Sequence, residues 1–511
     1  MIRFLHRIAR DNLTVLLLVL LMIFGAFVAW QLSRLAGEEH GTAATAALAA
    51  KSQSVAATVE MLQEQPASRP ELAVQRWTTA SGARVLFVPS PDIPMLDVRV
   101  LFDAGAARDG AYPGLARFTS AMIGEGTPTR STDEIAGGFE SIGAQFGTSS
   151  FRDMALVELR TLSEPEIADA AVALFADVVA HPSFPEPAVA RVREQMLVGL
   201  RRDEERPATI AHRSFIAALY LMHPYASPVE GTADSVRRID RESLRAFHKN
   251  HYVANNAVIA ITGAVERPRA EQIAALIANA LPTGAPAPEL PQPPVAGGDG
   301  FHVTYDSQQT HIFLGLPSVR RGSPDEAVLS VANQILGGDG LTSLLADAVR
   351  NQRGLAYSVG SNFQSMRVNG PFVVNLQTRN DGAGEALAVV QDVLKKFSQE
   401  GPTEAQLIDA RRQLAGSYPL QFASNSAIVG TIGMLGFYNL PDDHIAQQLA
   451  RIEQVTAAEV RDAFRRHVPL DRLITVTLGP EKPVVPAVLP PLPAGSAPTP
   501  APAAMPHHPE H

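Results

Sequence analysis

Two periodicities alternate along the chain. Apolar and polar residues alternate in steps of two through "RVLF", "LDVRVLFDAG" and "MALVELRTL", which predicts strands. Apolar residues recur three and four apart in "EIADAAVALFADVVAH" and "ARVREQMLVGLRRDEER", which predicts helices. The strand "NAVIAITGAV" closes this series, and a similar order then recurs. A strand "THIFLGLP" leads to the helix "PDEAVLSVANQILGG" and the strand "GPFVVNLQT". The helices "EALAVVQDVLKKF" and "EAQLIDARRQL" and the strand "RLITVTLGP" complete it. Landmarks hold a near-constant offset: Asp177 with Asp392, Gln195 with Gln413, and Gly263 with Gly479. A repeat this long is no solenoid unit and predicts a duplicated domain. The expected class is α+β: two homologous α/β-sandwich domains with helices packed on a mainly antiparallel sheet.

Breaks in the pattern divide the chain. Residues 282–300, "PTGAPAPELPQPPVAGGDG", form a Pro/Gly linker between the halves. Residues 481–511 continue a Pro/Ala-rich stretch and are expected to be a disordered tail. The domains run 73–281 and 301–480. Before them lie a spacer, 36–72, and an N-terminal segment, 1–35. In that segment Arg3, Arg7 and Arg10 precede an apolar run from Leu13 to Trp30 interrupted only by Thr14. Two readings are open, a transmembrane anchor or a long cleavable signal. No small-x-small site directly follows the run, which favours the anchor. Either way the body is exported. In a bacterium that predicts a single pass through the inner membrane with the body facing the periplasm.

Composition narrows the chemistry. A net charge of −9 and no Lys/Arg-rich stripe argue against a nucleic-acid partner. Cys is absent, which excludes disulfides, thiolate ligands and a Cys nucleophile. No P-loop and no G-x-S-x-G elbow occurs. His248, His251, His302 and His311 are scattered and are expected to be surface or core residues. "RRDEERP", 201–207, is expected to be a solvated charged helix end.

Residues 114–146, "GLARFTSAMIGEGTPTRSTDEIAGGFESIGAQF", carry more. Leu115, Phe118, Met122 and Ile123 recur at helical spacing, and Gly124 and Gly126 end the helix. The "GLA", Phe118, Met122, the "GT" at 126–127 and "SIGA" at 141–144 resemble the pitrilysin/insulinase family of zinc peptidases, which includes the mitochondrial processing peptidase. The resemblance covers roughly residues 74–480. It implies two zinc-binding His at i and i+4 on this helix, with a Glu between them as general base, and a third ligand, a Glu, on a later helix. Here those positions hold Arg117, Ala121, Ser120 and Gly199. A guanidinium cannot coordinate a cation. The chain is therefore expected to bind no metal, with zinc in a partner subunit.

In the second half, "RNQRGLAYSV" at 350–359 resembles the family's Arg and Tyr seven apart, which reach the zinc site across the closed cavity. The match gives those roles to Arg350 and Tyr357, with Arg353 as a weaker substrate-binding candidate. Without the match, arginines near a helix C-terminus and a Tyr at a strand start are structural. With it, the chain resembles the non-metal subunit of a heterodimer, lending Arg350 and Tyr357 to a zinc-bearing partner that cleaves peptides or unfolded proteins. The alternative is a pseudo-peptidase acting as scaffold or peptide-binding protein. One literal H-x-x-E-H does occur, at His507, Glu510 and His511. Pro509 inside it prevents the helix that would put both His on one face.

Overall fold

The computed structural model describes residues 72–492, except 296 and 339–341. The apolar N-terminal segment and the His507–His511 motif lie outside the described residues. Among the described residues no helix is long and apolar enough to cross a membrane.

The first half runs β1 (Gln75–Thr78), β2 (Arg84–Pro89), β3 (Met95–Phe102), α1 (Leu115–Met122), α2 (Thr132–Ser141), β4 (Gln145–Ser150) and β5 (Ala155–Leu162). It continues through α3 (Pro165–Ala180), α4 (Glu186–Glu204), α5 (Pro207–Tyr220), α6 (Ala233–Arg238), α7 (Arg241–His251), β6 (Ala257–Gly263) and α8 (Arg267–Ala280). Its sheet has the order β1-β2-β6-β3-β5-β4. The second half runs β7 (Phe301–Thr304), β8 (Gln309–Val319), α9 (Glu326–Leu336), β9 (Ala356–Phe363), β10 (Gly370–Arg379) and α10 (Ala383–Glu400). It ends with α11 (Glu404–Ser417), α12 (Asn425–Phe437), α13 (His444–Gln454), α14 (Ala457–His467) and β11 (Ile474–Gly479). Its sheet has the order β7-β11-β8-β10-β9.

The two orders coincide when β2, β6, β3, β5 and β4 are set against β7, β11, β8, β10 and β9. Each sheet holds one parallel pair, β2 with β6 and β7 with β11, in matching positions. All other pairings are antiparallel. Asp177 and Asp392 fall on the equivalent helices α3 and α10. Gln195 and Gln413 fall on α4 and α11.

On one face, each sheet packs against its own helices. Phe87, Val98, Val100 and Val157 meet Phe118, Phe175 and Ile273. Leu314, Phe372 and Val374 meet Val331, Leu394 and Phe464. The other face is covered by the opposite half. Ile428, Val429, Ile432 and Leu435 of α12 bury Leu86, Leu101, Val258 and Ala260 of the first sheet. Phe215, Ile216 and Leu219 of α5 bury Ile474 and Val476 of the second. This exchange explains why every residue of β6 is buried: a strand covered on both faces needs no polar alternation. Gly436 lets α12 lie flat, since a Cβ there would sit 2.4 Å from Leu86 Cδ1.

The linker is pinned to the body. Leu290 is buried, Asn255 Nδ2 donates to the Gly284 carbonyl at 2.9 Å, and His223 Nε2 lies 2.9 Å from the Pro291 carbonyl oxygen. The tail departs from the expected disorder over 481–492, which lies along the second half. Leu489 packs on the second core, and the Pro490 carbonyl accepts from Arg353. Gly384 lacks the Cβ that would meet the Val484 carbonyl at 1.9 Å. An apolar side chain, a bonded carbonyl and a close backbone approach at a glycine hold this Pro-rich segment, which forms no strand.

Candidate functional site

Helix α1 is set by what precedes it. Gly114 takes a φ of +90°, a conformation open mainly to glycine. Asp109 then accepts from the Gly114 and Ala116 amides at 2.8 and 2.7 Å, filling donors that the first turn leaves free. Burial pushes the Asp109 carboxyl up to about 7, against the pull of those amides and of the Ser227 hydroxyl. A folded-state value above the unfolded one, near 4, means that the native state keeps a proton the unfolded state loses. Its contribution is complete below pH 4 and is lost as pH rises through about 7. Denaturant unfolding between pH 5 and 7.5 should show stability falling with pH, at no more than about 1.4 kcal/mol per unit from this group. Asp109→Asn should flatten that part of the slope. An unchanged slope in the variant would remove Asp109 as its cause.

Positions 117 and 121 lie one turn apart on one face of α1. They face α4, and Arg117, Ala121 and Gly199 line a single cavity of about 440 Å³. Ser120 does not join them. It is buried, turned inward beside Tyr252. Arg202, Asp203 and Arg206 also line this cavity, with Glu230. The segment expected to be a solvated charged helix end is thus part of the site. No sequence signal marked it, because its partner across the cavity is α1.

Arg350 and Tyr357 lie on two irregular stretches. Ala346–Asn351 is a π-helical turn, in which the Gln352 amide donates to the Asp347 carbonyl at 2.9 Å. In β9, Val359 pairs with Leu376 and Ala356 with Thr378, so Tyr357 and Ser358 together oppose Gln377. This β-bulge turns two consecutive residues outward, and Tyr357 is 81 % exposed. The Arg350 guanidinium sits 4.8 Å from the centre of the Tyr357 ring. Both irregularities are of kinds that re-aim side chains at functional sites. Neither side chain lines the Arg117 cavity. Arg353 differs from Arg350. It is 10 % exposed and donates to Glu385 at 2.7 Å and to the Pro490 carbonyl at 2.9 Å. Its guanidinium is held at Nη1 by both partners, a structural commitment that Arg350 does not share among the described residues. Among the histidines, His248 is buried with Nε2 2.9 Å from the Val179 carbonyl oxygen, and desolvation pushes it down to about 4.

Two mixed sheets with exchanged covering helices and a helix-lined cavity in the first half define a duplicated α+β fold. Residues 84–233 match the model described as insulinase (peptidase family M16), and residues 238–414 match the peptidase M16 inactive domain. The chain belongs to this family. An uncharacterized zinc protease of Mycobacterium tuberculosis is 30% identical over 417 residues, covering 80% of this chain and 94% of that protein. The crystal structure of a peptidase M16 inactive domain from Pseudomonas fluorescens is 41% identical with a TM-score of 0.79, covering 81% of this chain and 100% of that one. A protease from Helicobacter pylori shares the fold, with a TM-score of 0.74 at 17% identity, over 80% of this chain and 100% of that one.

The zinc that the family implies does not fit the residues present. Arg117, Ala121 and Gly199 offer no lone pair, and Ser120 faces away. Asp203 and Glu230 of the same cavity are drawn to Arg213, at 3.0 and 4.0 Å. Among the described residues no group of three or more His, Asp or Glu could hold a metal ion.

Proposed function

We propose that this chain is the zinc-less subunit of a pitrilysin-like metallopeptidase, lending Arg350 and Tyr357 to a zinc-bearing partner of the same family. The observation that carries this is the contrast between its two candidate regions. The family's metal positions come together around one cavity without a ligand among them. Arg350 and Tyr357, by contrast, stack on each other, with Tyr357 open to solvent and no carboxylate on Arg350 among the described residues. Peptide hydrolysis places negative charge on the scissile carbonyl oxygen. A guanidinium and a phenol are donors suited to that oxygen and to substrate backbone. We further propose that residues 1–35 anchor the chain in the inner membrane of a bacterium, with the body in the periplasm.

The test is co-purification from the native membrane. The chain alone is expected to hold no stoichiometric zinc and to cleave no peptide, and addition of the partner is expected to produce cleavage faster than the partner achieves by itself. Equal partner activity with and without this chain would replace the proposal by the scaffold reading.

A further inference from the structure

The cavity at the former metal position has a charge of its own. Arg117, Arg202 and Arg206 line it, and among the described residues none of the three pairs with a carboxylate. The two acids of the lining, Asp203 and Glu230, both turn to Arg213. That triad sums to −1 and the three free guanidinium groups to +3, so the local balance is +2. Three like charges around about 440 Å³ repel one another, and an anion between them relieves that repulsion. The planar fork of a guanidinium matches a carboxylate with two parallel hydrogen bonds. Val192 and Met196 supply an apolar wall, and Ala121 and Gly199 add almost no bulk. A Cβ placed on Gly199 would meet nothing within 4 Å, so the space between the helices is open.

We propose that this cavity binds a peptide carboxylate. The charge a metal would have placed here is replaced by arginines, and what they recognise is the anionic end or side chain of a peptide rather than its scissile bond. This rests on the reading that the chain handles peptides, and it narrows their class to those presenting a C-terminal carboxylate or an Asp or Glu side chain.

The test is fluorescence anisotropy on the full chain with three labelled peptides. One ends in a free carboxylate, the second is its C-terminal amide, and the third is that amide with one internal Glu. Arg117→Ala combined with Arg206→Ala should weaken binding of the carboxylate peptides about ten- to a hundredfold. Both arginines are exposed, so the core is untouched. Gly199→Glu, which places a carboxylate in open space among the arginines, should block the same peptides. Tighter binding of the first peptide alone assigns the pocket to the chain terminus, and tighter binding of the first and third assigns it to carboxylates in general. Equal affinity for all three, or wild-type affinity in both variants, overturns the proposal. Turnover of the assembled peptidase is read beside these affinities, in Arg350→Ala. Lost turnover in that variant beside unaltered peptide affinity in the arginine variants would sink the pocket while sparing the subunit reading, and the reverse pattern would do the opposite.

Discussion

In the assembled peptidase, Arg350→Ala is expected to lower kcat for peptide cleavage by roughly 10²-fold, the cost typical of removing one donor to a developing oxyanion. Tyr357→Phe tests the same proposal more cleanly. It keeps the ring under the Arg350 guanidinium, 4.8 Å away, and removes only the hydroxyl. Because Tyr357 is 81 % exposed, its loss should change stability by no more than about 0.5 kcal/mol. Steady-state kinetics of the complex separate the outcomes. An interaction made in the transition state lowers kcat and kcat/KM together, whereas simple substrate binding raises KM alone. Full turnover in both variants would make the pair a relic and leave the chain a scaffold.

Asp153→Ala should destabilise the body by about 2–4 kcal/mol in urea unfolding, through the donors it leaves without an acceptor. Asp153 is 2 % exposed and joins the halves. Its carboxylate accepts from the Tyr225 hydroxyl at 2.5 Å in the first half. It also accepts from the Arg367 amide at 2.9 Å and the Tyr438 hydroxyl at 3.0 Å in the second. Burial and the nearby carboxylate push both phenols well above their ordinary range, so they remain donors. Alanine leaves three donors without their acceptor at once, the Tyr225 hydroxyl buried and the Arg367 amide and Tyr438 hydroxyl partly buried. Tyr438→Phe removes one donor and should cost about 1 kcal/mol. An Asp153→Ala protein within about 1 kcal/mol of wild type would show that water takes over the carboxylate's role.

Much of the fold is local and therefore legible. Strand alternation in "LDVRVLFDAG" and helical spacing in "EALAVVQDVLKKF" place β3 and α10 where they are found, because the apolar positions of each pack on neighbours in its own half, although β3 is also covered by α12 at Leu101. The helices α5 and α12 had no such clarity. A helix apolar on most sides, such as "NSAIVGTIGMLGF", is compatible with any buried place, and nothing local names the sheet of the opposite half as its partner. The uninterrupted runs "VLFV" of β2 and "AVIAITG" of β6 are the traces of that second cover.

The candidate site divides the same way. The loss of ligand chemistry at Arg117, Ser120, Ala121 and Gly199 is a matter of residue identity, so the chain's letters alone determine it, once the resemblance says which positions to inspect. Likewise, Pro509 disqualifies the one literal H-x-x-E-H without any structure. Only the tertiary structure decides that Arg202 and Arg206 join Arg117 around one cavity, that Asp203 and Glu230 are drawn to Arg213, and that Arg353 is committed while Arg350 is not. These outcomes depend on which groups meet across tens or hundreds of residues. A guanidinium's role is set by the nearest carboxylate in space, and sequence separation carries no record of that distance.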